Sequence, residues 1–263
     1  MMGYNHALSG AAAWVAVASS ASNFPSLALV HVAPWQLATG ALVCAGAALL
    51  PDLDHHSATI SRSVPIAGRM AAGVVNTATG GHRKGMHSIL AVVACWALTG
   101  WIGTLTWSPG WWSHALPAAG EFMIMALLAF AVRALKIAKS WPRAWILGAI
   151  GAAALFLFLP DQLGWFQLCI TVGFAAHLLG DFLTVGGVNW LWPLKIQAPK
   201  FIQAIPGVRR VWKRNGYFAL PILGRTGSLA ERILGALLAL YALAGIATSI
   251  MGAAVGGGGA SPF

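Results

Sequence analysis

Hydrophobic residues along this chain gather into long stretches separated by short polar connections. Stretches near 7–22, 35–50, 88–107, 116–132, 145–160, 163–185 and 229–251 approach the roughly 20 residues a helix needs to cross a bilayer. They predict an all-α protein, a polytopic transmembrane helical bundle of about seven spans. The spans form one integral-membrane domain over 1–251, with polar loops at 51–87, 133–144 and 186–228 and a flexible Gly-rich tail at 252–263. Within the first loop, Ile66, Met70 and Val74 recur at helical spacing near Arg62 and Arg69, which suits a short helix lying in the membrane interface.

Charge orients the bundle. Only 8% of residues are charged against 58% hydrophobic, which excludes an ordinary water-facing surface. Arg62, Arg69, Arg83 and Lys84 fall between spans two and three, and Arg133, Lys136, Lys139 and Arg143 between four and five. The other eight Lys and Arg residues, Lys195 to Arg232, fall between six and seven or at the start of seven. Because basic loops stay inside and successive spans alternate, the N-terminus and all three basic loops are expected in the cytoplasm. The net charge of +10 then points to the anionic headgroups of the inner leaflet, at about 1 kcal/mol per basic residue, and not to nucleic acid. Trp35, Trp107, Trp111, Trp112 and Trp165 would mark the outer interface, and Trp141, Trp145, Trp190, Trp192 and Trp212 the inner one, unless they pack between helices.

Other features change the picture little. Cys44, Cys95 and Cys169 lie in separate spans without metal-type spacing and read as small buried apolar residues. The first stretch lacks the basic start of a signal peptide and is expected to remain as a span. Ser228 and Glu231 have the spacing of a helix-capping box. Small residues such as those at 10–13 and 148–154 allow close helix packing, within one subunit or in a homo-oligomer.

The candidate chemistry sits on the basic side. Only six carboxylates occur in the chain, and three belong to histidine-containing clusters. Asp52, Asp54 and His55 follow Pro51 at the end of span two. His82, Arg83, His87 and Ser88 enter span three, and His177 and Asp181 share one helical face in span six. His6 opens span one. A carboxylate at membrane depth is costly unless it is paired, protonated or bound to a cation. Imidazole and carboxylate together suit a divalent metal, zinc first and manganese or iron next. The expected ligands are therefore Asp54, His87, His177 and Asp181, then His6, Asp52 and His55. Arg83 is a candidate for holding an anionic oxygen, His82 a candidate general acid, and Ser88 a hydroxyl that orients a ligand or caps span three. His31, His114 and Asp161 fall on the opposite side and read as incidental.

In this order, Asn5-His6, Leu50-Pro51-Asp52-Leu53-Asp54-His55, His82-Arg83 with His87-Ser88, and His177 with Asp181, Thr184 and Gly187-Val188 resemble the YdjM-like inner-membrane proteins, described as metal-dependent hydrolases. Asn5, Met86 and Val185 stand where that family usually has Thr, Thr and Pro. The resemblance implies a bacterial inner-membrane protein with hydrolase activity. The His-x-x-Gly-Asp run at 177–181 is also similar to a ligand motif of bacterial zinc phospholipases C, which points toward a phospholipid or another membrane-associated phosphoester. Two other readings stay open. A divalent-cation or proton transporter would need ionisable groups continuing toward the outer face, where the spans carry almost none. A structural metal staple would stabilise the fold without turning over any substrate.

Overall fold

The computed structural model describes residues 1–20, 24–105, 118–158, 164–205 and 207–256. Long apolar stretches with few breakers become helices because a helix satisfies its own backbone polar groups. The long ones are α1 (Gly3–Val17), α2 (Pro34–Ala47), α4 (Ile89–Thr104), α5 (Ala118–Ala134), α6 (Trp141–Phe158), α7 (Phe166–Phe182) and α10 (Leu229–Gly256). Between them lie α3 (Ala67–Ala78) and two single-turn helices, α8 (Lys200–Gln203) and α9 (Val208–Val211). The protein is thus all-α. A parallel pair of two-residue strands, β1 (Ala18–Ser19) and β2 (Val30–His31), joins the end of the first predicted stretch to the connection before α2. Among the described residues, two segments are both long and apolar enough to cross a membrane, Pro34–Asp54 and Leu229–Ala254, while Ile89–Thr104, Trp141–Leu157 and Phe166–Phe182 are apolar but shorter.

Helix α2 is the hub, packing on α1, α5 and α7, while α1 also packs on α7 and α10. Two glycines let neighbours come this close. A Cβ on Gly10 of α1 or on Gly173 of α7 would each lie 2.4 Å from the Cys44 carbonyl oxygen of α2. Backbone therefore meets backbone on both sides of α2, the close approach that small residues permit. Trp14, Leu49, Leu127, Ile170 and Leu178 fill the buried core. The outer faces of α4, α6 and α10 expose Val93, Trp101, Ile150, Leu240 and Leu243, an apolar coat suited to lipid.

Several of the tryptophans expected at the interfaces make contacts within the protein. Trp165 is buried, its ring 5.3 Å from that of Trp14, so it packs between helices. Trp145 and Trp212 turn their indole N–H groups to the carbonyls of Ser63 and Ile196, at 3.1 and 2.8 Å. Along α3, Met70 and Val74 form an outward apolar row with Ile66 just before it. Trp107, Trp111, Trp112, His114, Asp161 and the tail from residue 257 lie outside the described residues.

Candidate metal centre

The two glycine crossings also set the site. His6 precedes Gly10 by one helical turn and His177 follows Gly173 by one turn. Because α1 and α7 run in opposite senses past Cys44, both histidines emerge at the same end of α2. Their rings stack with centroids 3.6 Å apart and planes 11° from parallel. The end of α2 orients the pair: His177 Nδ1 donates to the Ala48 carbonyl at 2.7 Å, which leaves Nε2 with its lone pair directed into the site.

Pro51 then tightens the chain into a 3-10 turn, Leu50–Asp54, that brings up both aspartates. They diverge. Asp54 is fully buried and spans two histidines, with Oδ1 2.7 Å from His82 Nδ1 and Oδ2 3.3 Å from His87 Nδ1. Its backbone carbonyl accepts the Asn76 amide at 2.7 Å. Asp52 is more open and places Oδ1 3.7 Å from His177 Nε2. Arg83 adopts a positive φ of 62°, an uncommon conformation for a residue with a side chain, and its N–H lies 3.3 Å from Asp54 Oδ2. Its guanidinium reaches Asp181 Oδ1 at 3.1 Å and Thr184 Oγ1 at 3.4 Å.

Asp181 is the asymmetric member. Oδ1 faces the Met1 amine, the Arg83 guanidinium and His6 Nε2, the last at 3.4 Å. Oδ2 is buried and has no hydrogen-bond partner among the described residues. It lies 3.6 Å from His87 Nε2 and 3.9 Å from His177 Nε2, and those two nitrogens are 3.1 Å apart. The triangle of 3.1, 3.6 and 3.9 Å brackets the separation of about 3.4 Å between neighbouring ligands of a tetrahedral ion with bonds near 2.1 Å. The residues present therefore fit a divalent metal. Three overlapping groups can hold one: His87, His177 and Asp181; His6, Asp52 and His177; and Asp52, His82 and His87.

Sequence reasoning named these residues but ranked them differently. Asp54, expected among the first ligands, lies outside all three groups and instead orients His82 and His87. His55 also lies outside them, at the rim, where its Nδ1 pairs with Ser57 Oγ at 2.8 Å and its ring stacks on His56. Ser88 caps α4: Oγ accepts the Ala91 N–H at 3.2 Å and donates to the Gly85 carbonyl at 2.7 Å. Burial pulls the His82 imidazole down, but the Asp54 hydrogen bond and the charges of Asp54 and Asp52 outweigh it and hold its pKa above the ordinary value.

Lys213 was missed. The segment after α9 folds back so that its ammonium donates to the carbonyls of Val185 and Gly186, the latter at 2.8 Å. Arg83 lies against the same Gly186, where a Cβ would collide with Nη1. Burial, then the Arg83 charge, lowers the Lys213 pKa. Its only signal in the sequence was membership of the basic run 209–214, which reads equally well as a headgroup patch.

The fold and the cluster define a membrane protein of helical class with a buried, metal-competent His/Asp centre at one end of the bundle. The chain belongs to the family described as YdjM inner membrane protein, whose model matches residues 1–254. No curated protein and no solved structure shows significant similarity to it.

Proposed function

We propose that the protein is a metal-dependent hydrolase of the bacterial inner membrane, acting at the cytoplasmic leaflet on a phospholipid or another membrane-associated phosphoester. In this reading α1, α2, α4, α5, α6, α7 and α10 are seven spans, and the N-terminus and basic loops face the cytoplasm, in contact with anionic headgroups. The observation that carries the proposal is the His87–His177–Asp181 triangle with one buried carboxylate oxygen lacking a hydrogen-bond donor. A buried anionic oxygen without a donor is costly, and a cation at the triangle's centre removes that cost.

His87, His177 and Asp181 would hold the ion, zinc being the best match to two nitrogens and one oxygen, while His6 and Asp52 could join His177 in an alternative set. Such an ion supplies Lewis acidity toward a phosphoryl oxygen. The chain's own groups do the rest. The Ala48 carbonyl fixes the tautomer and ring plane of His177, and the Asp54 carboxylate lies 3.3 Å from His87 Nδ1. Arg83, flanking Gly186 together with Lys213, offers guanidinium donors to a phosphate. His82, about one-third exposed and hydrogen-bonded to Asp54, is placed at the open side of the cluster to give a proton to a leaving oxygen.

The test is elemental analysis of detergent-purified protein, followed by release of phosphate or headgroup from phosphatidic acid and phosphatidylglycerol in proteoliposomes. Stoichiometric zinc, manganese or iron that disappears in His177→Ala, together with metal-dependent turnover, is the expected result. Folded protein that stays metal-free after reloading would overturn the proposal.

A further inference from the structure

Beside the metal centre lies a groove that the chemistry above does not use. It has a volume of about 440 Å³, within the roughly 300–1,000 Å³ typical of small-molecule sites. Small residues create it: Ala13 and Ala16 on α1 and Ala176 and Gly180 on α7 leave a gap that α10 walls off with Leu234, Leu238 and Tyr241. Leu234 and Tyr241 are seven residues apart, so the groove extends about 10 Å along the helices. Its few polar groups are turned away. Ser9 donates its hydroxyl to the His6 carbonyl at 2.8 Å, and Tyr241 donates to the Pro25 carbonyl at 2.7 Å.

One end of this groove meets the cluster. Gly180 is both a lining residue and the neighbour of Asp181, and a Cβ there would lie 3.3 Å from His6 Nδ1. That nitrogen is buried, with His6 only 1% exposed, and finds no hydrogen-bond partner among the described residues. An apolar channel whose inner end is lined by Met1 and Gly180, beside Asp181 and the Arg83 bonded to it, matches an amphiphile with a hydrocarbon tail and an anionic head. Leu179, which also lines the groove, is exposed, so a lipid can reach the groove from the bilayer side.

We infer that this groove binds one acyl chain of an anionic phospholipid, with the phosphate toward Arg83. The inference rests on the proposed hydrolase and names the part of its substrate that selects a lipid over a soluble phosphoester. A chain laid between α1, α7 and α10 would carry its headgroup to the cluster and fix which phosphoester bond faces it.

The test uses the full-length protein in phosphatidylcholine vesicles containing a phosphatidic acid with a diazirine on its acyl chain, and maps the photolabelled peptides. Wild type is expected to be labelled on groove residues of α1, α7 and α10 above the level of the outward Leu237–Leu240 face. Ala13→Leu, which adds methylenes to the groove, should cut that labelling about tenfold or more while leaving outward labelling and metal content unchanged. Ala16→Leu repeats the test one turn away should the first variant misfold. Arg83→Gln should lower groove labelling by phosphatidic acid but not by a neutral diazirine diacylglycerol. Groove labelling that ignores all three substitutions would mean annular lipid only and would overturn the inference. Equal loss of p-nitrophenyl phosphate and phosphatidic acid turnover in Ala13→Leu would also overturn it. Groove-specific labelling without turnover of any phosphoester would remove the hydrolase and leave the groove standing.

Discussion

Among the carboxylates buried at this end of the bundle, Glu231 and Asp181 have been finished differently. Glu231, at the start of α10, is saturated. Its Oε1 accepts the Met2 N–H at 2.6 Å and the Asn5 amide at 2.7 Å, and its Oε2 accepts the Gly227 N–H at 2.7 Å. Its own N–H bonds Ser228 Oγ at 3.1 Å, so the capping box also clamps α10 to α1. Asp181, at the end of α7, has all its donors on Oδ1 and none on Oδ2, which is left facing two imidazole nitrogens. A carboxylate whose oxygens are both satisfied by neutral donors holds helices together. One left half-satisfied in a dry site is, on the proposed reading, suited to take a cation.

That contrast is most sharply broken at Asp181. Asp181→Asn is expected to reduce bound metal to background and turnover by about 1,000-fold, the several kcal/mol a Lewis acid supplies. Retained metal, measured by elemental analysis, would place the ion elsewhere. Asp54→Asn should be milder, weakening metal affinity by about 10–100-fold as loss of an orienting partner does. Competitive chelator titration measures it, and complete loss would make Asp54 a direct ligand. Glu231→Gln should leave metal content intact while costing about 1–3 kcal/mol of stability, because donors that now meet a carboxylate oxygen would face an amide. A melt in detergent reports this, and an unchanged Tm would show that the clamp contributes nothing.

The smallest effect concerns pH. His82 has a raised pKa in the folded protein, so its pairing with Asp54 contributes fully below the ordinary histidine value of about 6.5. The contribution fades as pH rises through the raised value. In metal-free protein the Tm difference between wild type and His82→Gln should therefore shrink from pH 6 toward pH 9. A constant difference would indicate that the pair does not titrate.

Much of the bundle was legible in advance because apolar run length is a local property. Each of the seven predicted stretches overlaps a helix, with ends displaced by a few residues where capping and packing decide. The i, i+4 spacing of His177 and Asp181 placed them on one face, and the one-sided clustering of ionisable groups brought four distant segments to one end. The division of labour between Asp52 and Asp54 was not legible. Two residues apart in a 3-10 turn, they point to different partners, and only the fold shows which histidines lie on each side. Nor could the sequence reveal the Ala48 carbonyl, since every residue has one, or the return of Lys213 to Gly186. Trp165 stayed ambiguous for a related reason: a Trp near the end of an apolar run suits a headgroup boundary and a helix crossing equally, and here its ring lies against Trp14.

Gly10 and Gly173 have a consequence beyond tight packing. Both press on one carbonyl of α2, so the span between His6 and His177 is gauged by main chain against main chain, with no side chain free to rotate and widen it. The arrangement acts as a caliper locked at one setting. On the proposed reading, a frame set this firmly would favour small, nitrogen-preferring ions with bonds near 2.1 Å over calcium, which asks for more oxygens at 2.3–2.6 Å.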